Sequence, residues 1–212
     1  MTRITAILAL LMLAPATSQA QTGGDQVTIR GFGDAGVTVF SATQSFKAIL
    51  GKPNGPLFGG GVELGLPRHL FVSVAASRFR RSGHRVFVYQ GEIFPLNVPA
   101  TITVTPLELT AGYRFADSSR LVPYAGGGVG WHKYQETSAH SASADDVNRT
   151  FTGYHVLGGL EVPFSRWIGA AGEAQWGSVP NALGKDPNGV SSVYHEHDLG
   201  GFTVRVKVVV GR

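Results

Sequence analysis

The sequence predicts an all-β chain, an eight-stranded antiparallel up-and-down transmembrane β-barrel. Three observations predict it. Apolar residues recur with period two, not 3.6, along most of the chain. Long and tight connections alternate strictly between those segments. The composition is glycine-rich and charge-poor: 29 glycines in 212 residues and 15% charged residues, where ordinary soluble domains carry roughly 25%. The 43% hydrophobic content separates the chain from disordered sequences. The length suits one domain.

The N-terminus reads as an export signal. Met1-Thr2-Arg3 is a short positive start, Ile4 to Leu13 is an apolar run, Pro15 breaks it, and Ser18-Gln19-Ala20 supplies small residues before a cleavage site. An anchor helix would need about 20 apolar residues, so residues 1–20 are expected to be removed as a signal peptide and 21–212 to form the barrel. With no cysteine in the chain, disulfides, thiol catalysis and cysteine-ligated metals are excluded.

The strands follow in order. At about 27–40, Val27, Ile29, Val37 and Val39 alternate with Arg30, Asp34 and Thr38. At about 57–66, Val62, Leu64 and Leu66 oppose Gly61, Glu63 and Gly65. The third strand, about 69–80, and the fifth, about 121–134, do not declare a parity; Val86–Phe94 extends the third as part of a hairpin. At about 101–115, Leu107, Leu109, Ala111, Tyr113 and Phe115 oppose Glu108, Thr110, Gly112 and Arg114. At about 150–162, Tyr154, Val156, Leu160 and Val162 oppose His155 and Glu161. At about 166–178, Ile168, Ala170, Ala174 and Trp176 oppose Gly169, Glu173 and Gln175. At about 197–210, Phe202, Val204, Val206, Val208 and Val210 oppose Thr203, Arg205 and Lys207.

The connections at 67–68, 116–120 and 163–165 are tight and carry turn residues, while 41–56, 81–100, 135–149 and 179–196 are long. Short turns on one side and long loops on the other are the asymmetry of a membrane barrel. In hydrocarbon every backbone polar group must be paired, and a closed sheet achieves this. Aromatics near strand ends (Tyr113, Phe115, Tyr124, Trp131, Tyr134, Phe164, Trp167, Trp176) fit interfacial girdles.

If the apolar parity faces lipid, the other lines the lumen. It collects Arg30, Asp34, Glu63, Glu108, Arg114, Glu161, Glu173, Arg205 and Lys207. An eight-stranded interior is just wide enough for side chains to fill, and unpaired charges there are costly. These residues are therefore expected to pair and plug the lumen.

Thr101–Phe115, Pro123–Trp131 and the closing strand Asp198–Gly211 carry a resemblance. The chain resembles the small eight-stranded outer-membrane barrels of the opacity and OmpA/OmpX type. The resemblance implies a bacterial outer-membrane location, lipid and the barrel assembly machinery as partners, and no cofactor. Gly201-x-x-Val204-x-Val206 matches part of the family's closing-strand signal, and Val210-Gly211-Arg212 stand where the family has a terminal aromatic.

Other chemistry is weakly signalled. His195-Glu196-His197 has the residue types of a zinc site but reads as a polar loop, so no metal is assigned. His155 with Glu161 or Glu173 and a serine would suit a hydrolase, yet no Gly-x-Ser-x-Gly stands here. Gly31-Phe32-Gly33-Asp34-Ala35-Gly36 opens no helix and is not a nucleotide loop. Arg78, Arg80, Arg81 and Arg85 cluster near the outer rim, where they could contact lipopolysaccharide phosphates. A formal charge of only +4 on an exported chain argues against nucleic acid as a partner. The expected function is a non-enzymatic structural or surface-interaction role through the long loops, with lipopolysaccharide or a host surface molecule as the outer partner. A narrow solute channel and a soluble exported barrel for a small apolar ligand are the alternatives.

Overall fold

The structure, a computed structural model, describes residues 27–89, 92–115, 120–138, 147–184 and 189–211. The expected signal peptide, 1–20, and residues 116–119 of the second tight turn lie outside the described residues. Eight strands run in chain order: β1 (Thr28–Phe40), β2 (Asn54–Gly65), β3 (Leu70–Tyr89), β4 (Glu92–Arg114), β5 (Val122–Ser138), β6 (Val147–Pro163), β7 (Ile168–Ser178) and β8 (Gly201–Gly211). Each pairs antiparallel with its sequence neighbour, and β8 closes on β1, so the sheet has no edge along the wall.

Period-two alternation decides which side chain faces where. On β8, Phe202, Val204, Val206, Val208 and Val210 all point out of the barrel and are about half exposed. Thr203 and Arg205 are buried within it. The outward run from Phe202 to Val210 matches the 9–11 residues a tilted strand needs to cross a bilayer. The two strands of undeclared parity resolve in the same way. Phe71, Ser73, Ala75, Ser77 and Phe79 of β3 are buried inside, as are Val122, Tyr124 and Tyr134 of β5.

Three features differ from the expectation, the first in extent only. The hairpin expected over Val86–Phe94 forms, and it takes up most of the connection at 81–100: β3 runs to Tyr89 and β4 starts at Glu92, paired through Phe87↔Phe94 and Val88↔Ile93. A β-branched and aromatic run favours pairing wherever a partner strand lies opposite. The connection at 41–56 contains a helix, α1 (Thr43–Leu50), which the alternation analysis missed. Its eight residues bury Phe46 and Leu50, one turn apart, and end at Gly51, whose positive φ of 74° suits a C-terminal glycine. Such a helix is too short to show a helical period. Lastly, Tyr124 and Tyr134 are inside the barrel and belong to no girdle.

The interior has two apolar clusters. The larger lies toward the long connections and joins Phe40, Phe46, Leu50, Leu57, Phe79, Ile102, Val104, Tyr134, Val179 and Leu199. The smaller, toward the tight turns, holds Phe71, Tyr124 and Ala171. A short helix, α2 (Val190–Val193), interrupts the last long connection.

Candidate functional site

The lumen is built in layers. Nearest the tight turns, Arg30 and Glu63 are register partners on β1 and β2 and form an ion pair. Arg30 also donates to Glu161 at 2.8 Å. Arg114 on β4 donates to Glu161 at 2.8 Å and to both Glu63 oxygens at 2.8 and 3.1 Å. Two guanidinium groups and two carboxylates therefore close a ring with no net charge. The Arg114 guanidinium also lies 5.5 and 5.4 Å from the Phe71 and Tyr124 ring centres, within cation–π range.

The second layer centres on Glu173 and Glu108. Arg205 Nε lies 2.8 Å from Glu173 Oε1, a charge contact whose angle falls short of a hydrogen bond. Arg205 also comes within 3.7 Å of Glu108. Lys207 donates to Glu173, and its ammonium lies 4.6 Å from the Phe32 ring centre. Tyr124 donates to Glu173 at 2.9 Å and Gln175 donates to Glu108 at 2.7 Å. The Tyr124 contact crosses a strand. In register Tyr124 faces Gly159, and Gly159 faces Glu173. A Cβ on Gly159 would sit 2.4 Å from Tyr124 Cζ, so glycine is what lets the ring lie across β6.

Thr110 and His155 use the same device across Gly128, with Oγ1 and Nε2 2.8 Å apart. His155 Nδ1 faces Glu108 at 3.9 Å. The imidazole thus meets a threonine and a glutamate, not a serine. Among the described residues no serine hydroxyl hydrogen-bonds a histidine ring.

All nine lumen residues selected from the sequence line the interior, and eight of them enter ion pairs. Asp34 is the exception. It is buried, and neither carboxylate oxygen has a hydrogen-bond partner among the described residues. Gln175, Tyr124 and Thr110 were missed as network members. The inward parity of Gln175 and Thr110 was a usable signal; Tyr124 had none, because its strand showed no parity.

Above this layer is a cavity of about 60 Å³, well above the roughly 10–15 Å³ that a single water needs. Ser77, Gln175, His155 and Arg205 line its polar side, and Phe40, Phe79 and Leu199 its apolar side. The larger apolar cluster then closes the barrel, with Phe46 of α1 stacked on Phe40 at 4.2 Å and Phe79 meeting Phe40 edge-on.

This plug is latched from the last long connection. Glu196 accepts the backbone N–H of Gln44 at 2.9 Å, that of Ser45 at 2.8 Å, and the Ser45 hydroxyl at 2.6 Å. A carboxylate at a helix N-terminus meets free N–H groups and the positive end of the dipole. Asp198 holds the base of the same connection by accepting from Val179 and Gly200 N–H at 2.7 and 2.6 Å. The His195-Glu196-His197 segment is therefore a latch, and no cluster of metal-ligating side chains forms among the described residues.

Outside, apolar side chains band the wall. Tyr113, Phe115, Phe164 and Trp167 mark the end with the tight turns, and Phe58, Trp131, Tyr154, Trp176 and Phe202 mark the other; all are exposed. Of the four clustered arginines, Arg78 and Arg80 point outward and are exposed. Arg81 has the inward parity and donates to the Asn54 carbonyl. Arg85 lies at the register shift between His84 and Val86.

Comparison with known proteins agrees with this architecture. Residues 6–191 match the family described as outer membrane protein beta-barrel domain. Among solved structures, Ail of Yersinia pestis aligns with 13% identity and a TM-score of 0.53, covering 88% of this chain and 98% of Ail. OprG from Pseudomonas aeruginosa aligns with 15% identity and a TM-score of 0.51, covering 89% and 94%. Neisserial surface protein A aligns with 12% identity and a TM-score of 0.50, covering 87% and 95%. No curated protein matches the sequence. A closed eight-stranded wall, an apolar outer band and a family match over most of the length lead to one conclusion: the chain belongs to the outer membrane protein beta-barrel family and resides in the bacterial outer membrane.

Proposed function

We propose that this protein is a non-enzymatic, closed outer-membrane barrel whose role is structural or exerted at the cell surface through its long outer connections. One observation supports this reading above the others: the lumen is filled at two levels by different chemistry. Ion pairs of Arg30, Glu63, Arg114 and Glu161 occupy the periplasmic half. An apolar plug latched by Glu196 occupies the extracellular mouth. A conducting pore would need both layers to open. The first is opposed by the cost of unpairing buried charges. The second is opposed by exposing Phe40, Phe46 and Leu50 to water.

The reading extends to the segments beyond the wall. Residues 1–20 direct export and are removed, and the closing strand carries the signal read by the assembly machinery. The test is conductance of purified, folded protein in planar lipid bilayers. The expected result is no steady current. Stable nanosiemens-scale steps would overturn the closed-barrel reading in favour of a solute channel.

A further inference from the structure

The outer wall carries a cationic tile that spans four strands. On β3, β4 and β5, the outward apolar run ends at Ala76, Leu107 and Trp131, which pair in one register row with Thr152 of β6. The next outward positions toward the cell exterior change character together. Lys133 sits between Thr105 and Thr150 in register, and Arg78, which pairs with Phe58, takes the β3 place in that row. One step farther, Arg80, Thr103, Gln135 and Asn148 form the following row.

Three cations thus stand among threonine, glutamine and asparagine, and no acidic side chain occupies these rows. Glu136 has the opposite parity and accepts from the Tyr134 hydroxyl. Arg78, Arg80 and Lys133 are exposed and have no ion-pair partner among the described residues. Neighbouring strands lie about 4.8 Å apart, so β3 and β5 are separated by about 10 Å. Side chains as long as Arg and Lys converge across that gap.

We propose that this tile binds the phosphate of an anionic glycolipid headgroup in the outer leaflet. Its position chooses the ligand. The tile begins where the lipid-facing band stops, so an acyl chain lying on Ala76, Leu107 and Trp131 brings its headgroup onto the cations. Guanidinium groups present several N–H donors to phosphate oxygens, and the hydroxyls of half-buried Thr105 and exposed Thr150 supply neutral donors beside them, while Thr103 of the next row is buried. The assignment rests on the outer-membrane location and is independent of whether the lumen conducts. It also revises the arginine cluster read from the sequence. Lys133 joins it from a distant strand, and Arg81, turned to the interior, leaves it.

The test uses full-length mature protein folded in zwitterionic detergent and titrated with bisphosphorylated lipid A. The R78Q/R80Q/K133Q variant is compared with R68Q/R120Q/R166Q, which removes the same charge from the exposed periplasmic turns. Heat-modifiable electrophoretic mobility verifies that both fold. A basic residue near an anionic surface contributes roughly fivefold to affinity, so the first variant is expected to weaken binding about 100-fold and the second less than threefold. Dephosphorylated lipid A should bind both proteins equally weakly. A loss under tenfold in the first variant, an equal loss in the second, or undiminished binding of dephosphorylated lipid overturns the proposal. So does full competition by millimolar inorganic phosphate, which would make the site one for free phosphate.

Discussion

Replacing Arg114 by methionine removes the residue that does most to join the two Glu side chains of the periplasmic layer. Arg114 is 11% exposed in its side chain, Glu63 11% and Glu161 8%. Methionine keeps an unbranched apolar stem but loses the guanidinium, and with it three charge-assisted hydrogen bonds and the cation–π contacts with Phe71 and Tyr124. Two buried carboxylates are then left facing Arg30 alone. Breaking a buried pair by removing one partner costs about 3–5 kcal/mol. Arg30 still reaches both carboxylates, which puts the expected loss near the lower end, about 3 kcal/mol. Adding Glu161→Gln removes the surplus negative charge, so the double variant should be more stable than the sum of the single losses predicts, by about 1–3 kcal/mol. Urea unfolding of barrels folded in phospholipid vesicles, followed by tryptophan fluorescence, measures all three. A loss below about 1 kcal/mol for Arg114→Met, or strict additivity in the double variant, would refute the ring as a coupled unit.

Other substitutions probe the remaining layers. Val206→Arg puts a charge on the lipid face near mid-strand, where Val206 is 62% exposed; it should cost roughly 2–4 kcal/mol in the same urea titration, and Val206→Leu almost nothing. Gly159→Ala places a methyl group 2.4 Å from Tyr124 Cζ and should cost about 1–3 kcal/mol, as overpacking does. Making Tyr124→Ala first should relieve part of that loss and leave the part due to the Gly172 carbonyl, 2.7 Å from the same Cβ; an undiminished loss would assign all of it to the strand backbone. Glu196→Ala removes three hydrogen bonds from the start of α1. Amide exchange over 43–50 should speed up about 5–30-fold, equivalent to about 1–2 kcal/mol, while strand amides of β7 and β8 stay unchanged.

The sequence by itself determined the wall. Period-two alternation is a local property, and a strand with Val204, Val206 and Val208 on one side and Arg205 and Lys207 on the other has one stable placement in a closed membrane sheet. The strand count, the sidedness and the nine inward charges follow from that. What the sequence could not decide is what meets across the lumen. Arg30 reaches Glu161 over 131 residues and Gln44 meets Glu196 over 152, and no local pattern encodes separations of that size. β3 and β5 showed no parity because small residues and glycines occupy both of their faces, as in Ala75-Ala76-Ser77 and Gly126-Gly127-Gly128. Their inward sides appeared only once β4 and β6 paired beside them. Helix α1 escaped notice because its apolar face is only three residues, Phe46, Ile49 and Leu50, and gains meaning when Phe40, Phe79 and Leu199 surround it. Alternation is set by each strand's own chirality and pleat, whereas pairing inside the barrel is set by strand stagger and closure, which exist only when all eight strands are in place.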